Sequence, residues 1–191
     1  GHSAFYGSYI NPCTTIAKII TRLKSTSLDN GTEFMPPSNL EFTKINVDNL
    51  SENVVPQSVS AKFNVRFNSK HKSSSLKKKL NKIINPVAKK EKCKTKIEYK
   101  VSGEAFYTKP NKEIHMVKNI VKKITGNSAK LNCRGGTSDS RFLGSIPRLE
   151  LGLKNNTIHM VNERTSVSDM KKLSKIYYNI LDNYFTWVQQ L

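Results

Sequence analysis

Residues 57–68 read Gln-Ser-Val-Ser-Ala-Lys-Phe-Asn-Val-Arg-Phe-Asn, and apolar and polar side chains alternate along this stretch. Successive side chains of a β-strand point to opposite faces, so the alternation predicts a strand with one buried face. The residues on that face are Val59, Ala61, Phe63, Val65 and Phe67. Arg66 falls on the opposite face, where it either binds a carboxylate through two hydrogen bonds or simply faces water.

The segments around this strand predict alternating helices and strands. Apolar residues at helical spacing indicate a helix over 14–23, and a Lys-rich helix follows the polar run 69–75. Alternation predicts two more strands, from residue 40 to about 47 and from 94 to 101. The order α-β-β-α-β is typical of a ferredoxin-like βαββαβ sandwich whose first strand would lie just before Gly1, so we expect the chain to be a fragment.

The pattern changes beyond residue 103. An amphipathic helix, a glycine-rich loop, a short strand and a long final helix are predicted at 112–124, 134–138, 149–151 and about 167–188. We therefore predict an α/β chain with two domains, residues 1–103 and residues 104–191.

Composition limits the classes of function. No apolar run approaches the ~20 residues that span a bilayer, and the start of the chain has no signal-peptide pattern. The three cysteines are odd in number and far apart, which favours a reducing compartment, and we expect a cytoplasmic protein. The net charge of +18 would attract nucleic acid or an anionic substrate. Because lysines are spread along the chain, solvated surfaces explain the charge better than a nucleic-acid site does.

The stretch 133–142, Cys-Arg-Gly-Gly-Thr-Ser-Asp-Ser-Arg-Phe, is the strongest local candidate for a site. Gly135 and Gly136 let the backbone approach a ligand closely, and Thr137 adds a hydroxyl donor beside a helix start. An ordinary Gly-Gly turn with a helix cap explains the same residues equally well.

Isolated polar residues give weaker signals. His159 follows an apolar stretch and a loop, where metal ligands occur, although a lone histidine is more often structural. Glu163 would either orient the His159 ring or lie on the surface as an ordinary acid. His2 and Asn53 stand beside loops, and a terminal solvated ring and a turn residue are the simpler interpretations.

Taken together, these stretches resemble the succinyl-diaminopimelate desuccinylase family of dinuclear zinc amide hydrolases. The motifs similar to the family's lid, or dimerisation, domain are Gly1-His2-Ser3-Ala4, Asn11-Pro12, residues 31–40, Asn53-Val54-Val55-Pro56 and residues 63–67. The motifs similar to the end of its zinc-peptidase-like α/β catalytic domain are residues 135–142, Glu150-Leu151-Gly152 and residues 155–163. The resemblance implies that residues 1–103 form the lid and residues 104–191 the last part of the catalytic domain.

The resemblance implies a homodimeric enzyme of lysine and diaminopimelate biosynthesis with two zinc ions per active site, which cobalt can replace. Its substrate would be the dicarboxylate N-succinyl-LL-diaminopimelate, hydrolysed to succinate and LL-diaminopimelate. His159 matches a zinc ligand, and His2 matches a histidine that stabilises the oxyanion in the partner subunit's active site. The residues that match substrate-binding positions are Asn53, Arg66, Gly136, Thr137 and Asn155.

The chain departs from the family in ways that matter. Phe5 stands where the family commonly has tyrosine, and Lys154 adds a charge beside Asn155. In the family, the other metal ligands and the glutamate general base belong to the region before Gly1, so we expect the isolated chain to be inactive without that half. Two alternatives stay open: a non-catalytic remnant that still dimerises, and a basic nucleic-acid-binding module. The second is less favoured because residues 57–68 carry no RNA-recognition string.

Overall fold

The computed structural model describes residues 1–133, 138–154 and 156–188, with side chains as far as residue 186. Among these residues the chain forms two compact units. The first consists of residues 1–106 with Cys133, and the second of residues 107–132 with the described residues from 138 onward. The domains at 1–103 and 104–191 stay a prediction, because contacts within this chain do not test which family domain each stretch represents.

The first unit is a small α/β structure with two helices and a two-stranded sheet. Its elements are α1 (Pro12–Lys24), β1 (Asn39–Asn46), β2 (Ser60–Arg66) and α2 (Ser73–Lys90). The strands are antiparallel, with Leu40 opposite Val65 and Phe42 opposite Phe63. The buried core is formed by Ile19, Leu23, Leu28, Leu40, Leu76, Leu80, Ile84 and Ala88. Phe63, Val65 and Phe67 pack against it, which confirms the predicted buried face of the strand.

The segment 94–101 does not form the strand that its alternation predicts. Ile97 and Tyr99 do pack against the core, and the Tyr99 hydroxyl donates to Asn81 Oδ1 at 2.8 Å. The alternation of apolar and polar residues in this segment therefore indicated correctly which side chains are buried. A β-strand also needs a neighbouring strand with which to form hydrogen bonds, and the alternation of side chains carries no information about that neighbour. The sheet among the described residues has two strands, so the detailed ferredoxin-like arrangement is not established by this structure.

The second unit is mainly helical. It contains α3 (Lys112–Thr125), a 3-10 helix at Asp139–Phe142 and α4 (Val167–Val188). The short strand predicted at 149–151 is absent, and the Leu151 carbonyl instead accepts a hydrogen bond from the Tyr177 hydroxyl of α4. No helix in the described ranges, α4 included, is both long and apolar enough to cross a bilayer.

Candidate functional site

His2 and Asn53 are brought together although 51 residues separate them in the chain. A short antiparallel bridge joins the residues on either side of the contact. Val55 N donates to the Gly1 carbonyl at 2.7 Å, and Ser3 N donates to the Asn53 carbonyl at 2.8 Å. The Asn53 side-chain amide then lies 3.4 Å from His2 Nε2. Two residues predicted separately thus form one exposed polar pair.

The His2 ring is held at its second nitrogen as well. Ala4 N donates to His2 Nδ1 at 3.1 Å, within the turn that follows the bridge. The Phe5 ring meets the imidazole edge-on, with centroids 5.5 Å apart and an interplanar angle of 61°. Phe5 itself is 64% exposed. The phenyl ring therefore packs beside the His2 imidazole at the position where a tyrosine would have added a hydroxyl.

Arg66 is the last residue of β2 and pairs in register with Asn39. It is exposed, whereas its neighbours Val65 and Phe67 are partly buried. The prediction that Arg66 lies opposite the apolar face is therefore correct.

His159 lies in an exposed loop and adopts a left-handed backbone with φ 59°. Thr157 closes this loop, because its hydroxyl donates to the Arg164 carbonyl at 3.0 Å and accepts from Arg164 N at 3.1 Å. The Glu163 carboxylate accepts from the backbone N–H of His159 at 3.4 Å, rather than from its imidazole. Glu163 thus supports the loop backbone, and the imidazole is not packed in an apolar core.

Gly136, Thr137 and Asn155 lie outside the described residues. The residues that follow the glycine-rich loop form a polar cluster. The hydroxyls of Ser138 and Ser140 both donate to the Glu150 carboxylate, and Arg141 Nη1 donates to the Ser138 carbonyl at 3.1 Å. This anchoring role of Glu150 was not predicted from the sequence. Glu150 stands in the sequence as a single acidic residue between Leu149 and Leu151, which does not by itself distinguish a solvated acid from an acceptor of two hydroxyls.

A second unpredicted cluster centres on Asp29, whose side chain is only 7% exposed. Its Oδ1 accepts from Gly31 N at 2.7 Å and from Asn68 Nδ2 at 2.6 Å, and its Oδ2 lies 3.0 Å from His71 Nε2. Ser38 N is 3.3 Å from both oxygens. Burial alone would raise the pKa of this carboxyl, but the hydrogen bonds from Ser38, Gly31 and Asn68 outweigh burial and hold the pKa well below its usual range. The cluster ties the loop 29–38, which carries the Glu-Phe-Met-Pro-Pro motif, to the end of β2.

The donors of this chain do not fit a metal centre by themselves. In the part of the chain that the structure describes, no three His, Cys, Asp or Glu side chains lie close enough together to hold a metal ion. A zinc ion takes three or four protein donors, and a two-zinc site needs more. His159 alone would therefore be one donor among several.

Comparison with known proteins connects this geometry to a family. Residues 1–92, which include α1, β1, β2, α2 and the His2–Asn53 pair, match the family described as peptidase dimerisation domain. The chain is 51% identical over 186 residues to a succinyl-diaminopimelate desuccinylase of Pelagibacter ubique, covering 97% of this chain and 48% of that protein. The chain is similar to the succinyl-diaminopimelate desuccinylases over nearly its whole length.

Other desuccinylases align over the same extent. Identity is 41% over 187 residues with the protein of Rhodopseudomonas palustris strain BisA53, covering 97% of this chain and 48% of that protein. It is 40% over 182 residues with that of Rickettsia bellii strain RML369-C, covering 95% and 46%. The resemblance to the desuccinylases is thus confirmed, and the chain spans about half the length of the curated relatives it matches.

Proposed function

We propose that this chain is the C-terminal half of a metal-dependent succinyl-diaminopimelate desuccinylase. The observation that carries the proposal is the 51% identity over 186 residues to a curated desuccinylase, which extends through both compact units. The reaction is hydrolysis of the amide of N-succinyl-LL-diaminopimelate to succinate and LL-diaminopimelate. The site of action is the cytoplasm, where the lysine and diaminopimelate pathway operates.

The first unit contributes to a homodimer in this proposal, in line with its match to a peptidase dimerisation domain. His2 reaches the partner subunit's active site, where an N–H of its imidazole stabilises negative charge on the carbonyl oxygen as water adds to the amide. Asn53 lies on the same exposed surface as His2, which suits a contact across the subunit boundary. Arg66, Gly136, Thr137 and Asn155 hold the carboxylates and amide of the substrate.

The finer fold proposal concerns the sheet. In the full-length protein, a strand before Gly1 would lie between β2 and residues 94–101 and complete the ferredoxin-like βαββαβ lid. Ile97 and Tyr99 already pack against the core of the first unit, as an added strand position requires. The strand alternation at 94–101 is then explained by a neighbour that lies outside this chain.

The metal proposal is limited by the donors available. Because no group of three ligating side chains lies together among the described residues, a two-zinc or two-cobalt centre does not fit this chain alone. His159 is proposed as one ligand of such a centre, and the remaining ligands are expected in the portion of the desuccinylases that this chain does not span. The isolated chain is accordingly inactive.

The experiment reconstitutes the enzyme from two polypeptides. This chain is mixed with the complementary half of the Pelagibacter ubique relative and zinc, and succinate release is measured against each half alone. We expect turnover only in the mixture. A His159→Ala chain should be inactive, whereas Lys154→Ala, five residues away, should retain turnover within a few-fold. A folded two-chain assembly with no turnover would refute the proposed function and leave a non-catalytic dimerising protein as the better explanation.

A further inference from the structure

We infer that the backbone N–H of Ala4 selects the tautomer of the neutral His2 ring that carries its proton on Nε2, and that Asn53 is a positioning residue for that Nε2–H group. The consequence for catalysis rests on the proposed function. The tautomer and its cause are properties of this chain alone. They are therefore testable without an active enzyme.

The contact at Nδ1 determines the tautomer. Ala4 N lies 3.1 Å from His2 Nδ1, and a backbone N–H can only donate. Nδ1 must therefore offer a lone pair and carry no proton. A neutral imidazole has a single N–H, so the proton is placed on Nε2.

The contact at Nε2 then determines how the Asn53 amide is oriented. The Asn53 Nδ2 atom lies 3.4 Å from His2 Nε2. An Nε2–H group needs an acceptor at this place rather than the NH2 donor. The oxygen and nitrogen of an asparagine amide exchange places by a half-turn of the terminal torsion, and hydrogen bonding selects between the two. We therefore assign Oδ1 of Asn53 as the acceptor of His2 Nε2–H.

The backbone makes this pairing specific to these two side chains. The Asn53 carbonyl accepts from Ser3 N at 2.8 Å, and Val55, which is buried, donates to the Gly1 carbonyl at 2.7 Å. These bonds flank the His2–Asn53 contact on both sides. The ring and the amide are thus held by a short antiparallel bridge that includes the buried residue Val55.

The weak contact between His2 Nε2–H and Asn53 leaves this N–H group able to donate to an anionic ligand instead. A hydrogen bond of 3.4 Å is at the long limit for N–H···O geometry and is therefore weak. An oxyanion presented to Nε2–H can replace the Asn53 oxygen at small cost and gains a stronger, charge-assisted bond.

The test observes the ring nitrogens directly. Two-bond proton–nitrogen correlation spectra of the nitrogen-15-labelled chain distinguish the two tautomers of each of its four histidines, and a His2→Gln variant identifies the His2 signals. At a pH where the ring is neutral, we expect the Nε2–H pattern for His2. A dominant Nδ1–H pattern would overturn the inference.

Asn53 is tested with a matched pair of variants. Asn53→Leu removes the acceptor and should move the His2 Nε2–H resonance towards that of a solvated ring, while the Ala4 N contact keeps the Nε2–H pattern. Asn53→Asp keeps an oxygen acceptor and should leave that resonance in its hydrogen-bonded position. The amide spectrum of β1 and β2 verifies that both variants are folded. Unchanged His2 signals in a folded Asn53→Leu chain would show that Asn53 does not position the ring.

The reconstituted enzyme separates positioning from substrate binding. We expect Asn53→Leu to lower kcat about tenfold, because a mobile donor stabilises the transition state less well. A rise in KM with kcat unchanged would contradict positioning and support simple substrate contact. If reconstitution fails altogether, the spectra still decide the inference, so its failure and that of the proposed function are distinguishable.

Discussion

Replacing Asp29 with asparagine should remove the interaction that fastens the loop 29–38 to the end of β2. The substitution preserves the shape of the side chain but exchanges one acceptor oxygen for an NH2 group. One of the donors that now approach the carboxylate, Gly31 N at 2.7 Å, Asn68 Nδ2 at 2.6 Å or His71 Nε2 at 3.0 Å, would then face another donor. Asn68 is 2% exposed, so water cannot easily substitute.

The magnitude follows from these contacts. Hydrogen bonds to a charged group contribute about 1.5–3 kcal/mol, and a buried donor left without a partner costs about 1–3 kcal/mol. The remaining oxygen retains part of the network, so we expect Asp29→Asn to lower the unfolding free energy of the first unit by about 2–4 kcal/mol. This is a large fraction of the stability of a small domain.

The pH dependence of the unfolding free energy provides an independent check that the Asp29 carboxylate is stabilising. The folded-state pKa of the Asp29 carboxyl is lowered relative to its unfolded value of about 4. The carboxylate therefore contributes its full stability above about pH 4–5, and this contribution is lost as the pH falls towards the folded pKa. The difference between the parent chain and Asp29→Asn should be largest near neutral pH and should shrink below about pH 4.

The assay must follow the first unit, because the second unit can unfold separately. Amide cross-peaks of β1 and β2 in a urea titration report the first unit, and Asp48→Asn, which changes an exposed carboxylate in the same way, is the control. The control should change stability by less than about 0.5 kcal/mol. A loss in Asp29→Asn no larger than in the control, or a difference that grows as the pH is lowered, would refute this account of the cluster.

Three other substitutions or conditions test the structure. Gly31→Ala should lower the unfolding free energy of the first unit by about 1–3 kcal/mol, since φ is +75° there and an added Cβ would lie 2.8 Å from the Met35 carbonyl oxygen. The same urea titration measures this loss, and an unchanged midpoint would contradict the geometry. Leu80→Ala should cost about 2–5 kcal/mol because Leu80 is 2% exposed, whereas Leu50→Ala, at a fully exposed position, should cost almost nothing, so equal losses would show that the assigned core is wrong. Binding of a single-stranded oligonucleotide by fluorescence anisotropy should weaken at least tenfold between about 50 mM and 200 mM salt if the charge of +18 acts only through phosphate contacts, and binding that persists would favour a nucleic-acid module.

The sequence predicted the helices better than the sheet, for a physical reason. The apolar stripes of α3 and α4 extend over several turns, and Asn111 and Gly126 provide local caps for α3, so both helices lie where their own residues indicate. The segment 94–101 was recognised correctly as having one buried face, but whether it pairs depends on a strand elsewhere. The alternation of side chains is a property of one segment, whereas hydrogen bonding between strands depends on two segments.

The candidate site also contains features that single residues indicate and contacts that only the fold creates. The resemblance to the desuccinylases named both His2 and Asn53, yet no pattern in a single sequence joins residues 51 positions apart. The Asp29 cluster was not predicted, because Asp29 alone is typical of a turn and His71 of a polar run. Asp29 becomes buried only when the segments around residues 29 and 71 meet in the fold, so the residues next to it in sequence do not predict the cluster.

A final prediction concerns two subunits, because the proposed dimer places His2 of one protomer in the active site of the other. His2→Ala and His159→Ala chains, each reconstituted with the complementary half, should both be nearly inactive as homodimers. In an equal mixture, half of the dimers combine the two variants, and one of the two sites in each such dimer regains both histidines, so activity should recover to about a quarter of the parent value. The tautomer of His2 should be unchanged in His159→Ala, because the hydrogen bonds of the His2–Asn53 pair lie within the first unit. If subunit exchange is demonstrated with labelled chains and activity still does not recover, His2 acts within its own subunit or not at all, and the proposed arrangement of the active site across the dimer is wrong.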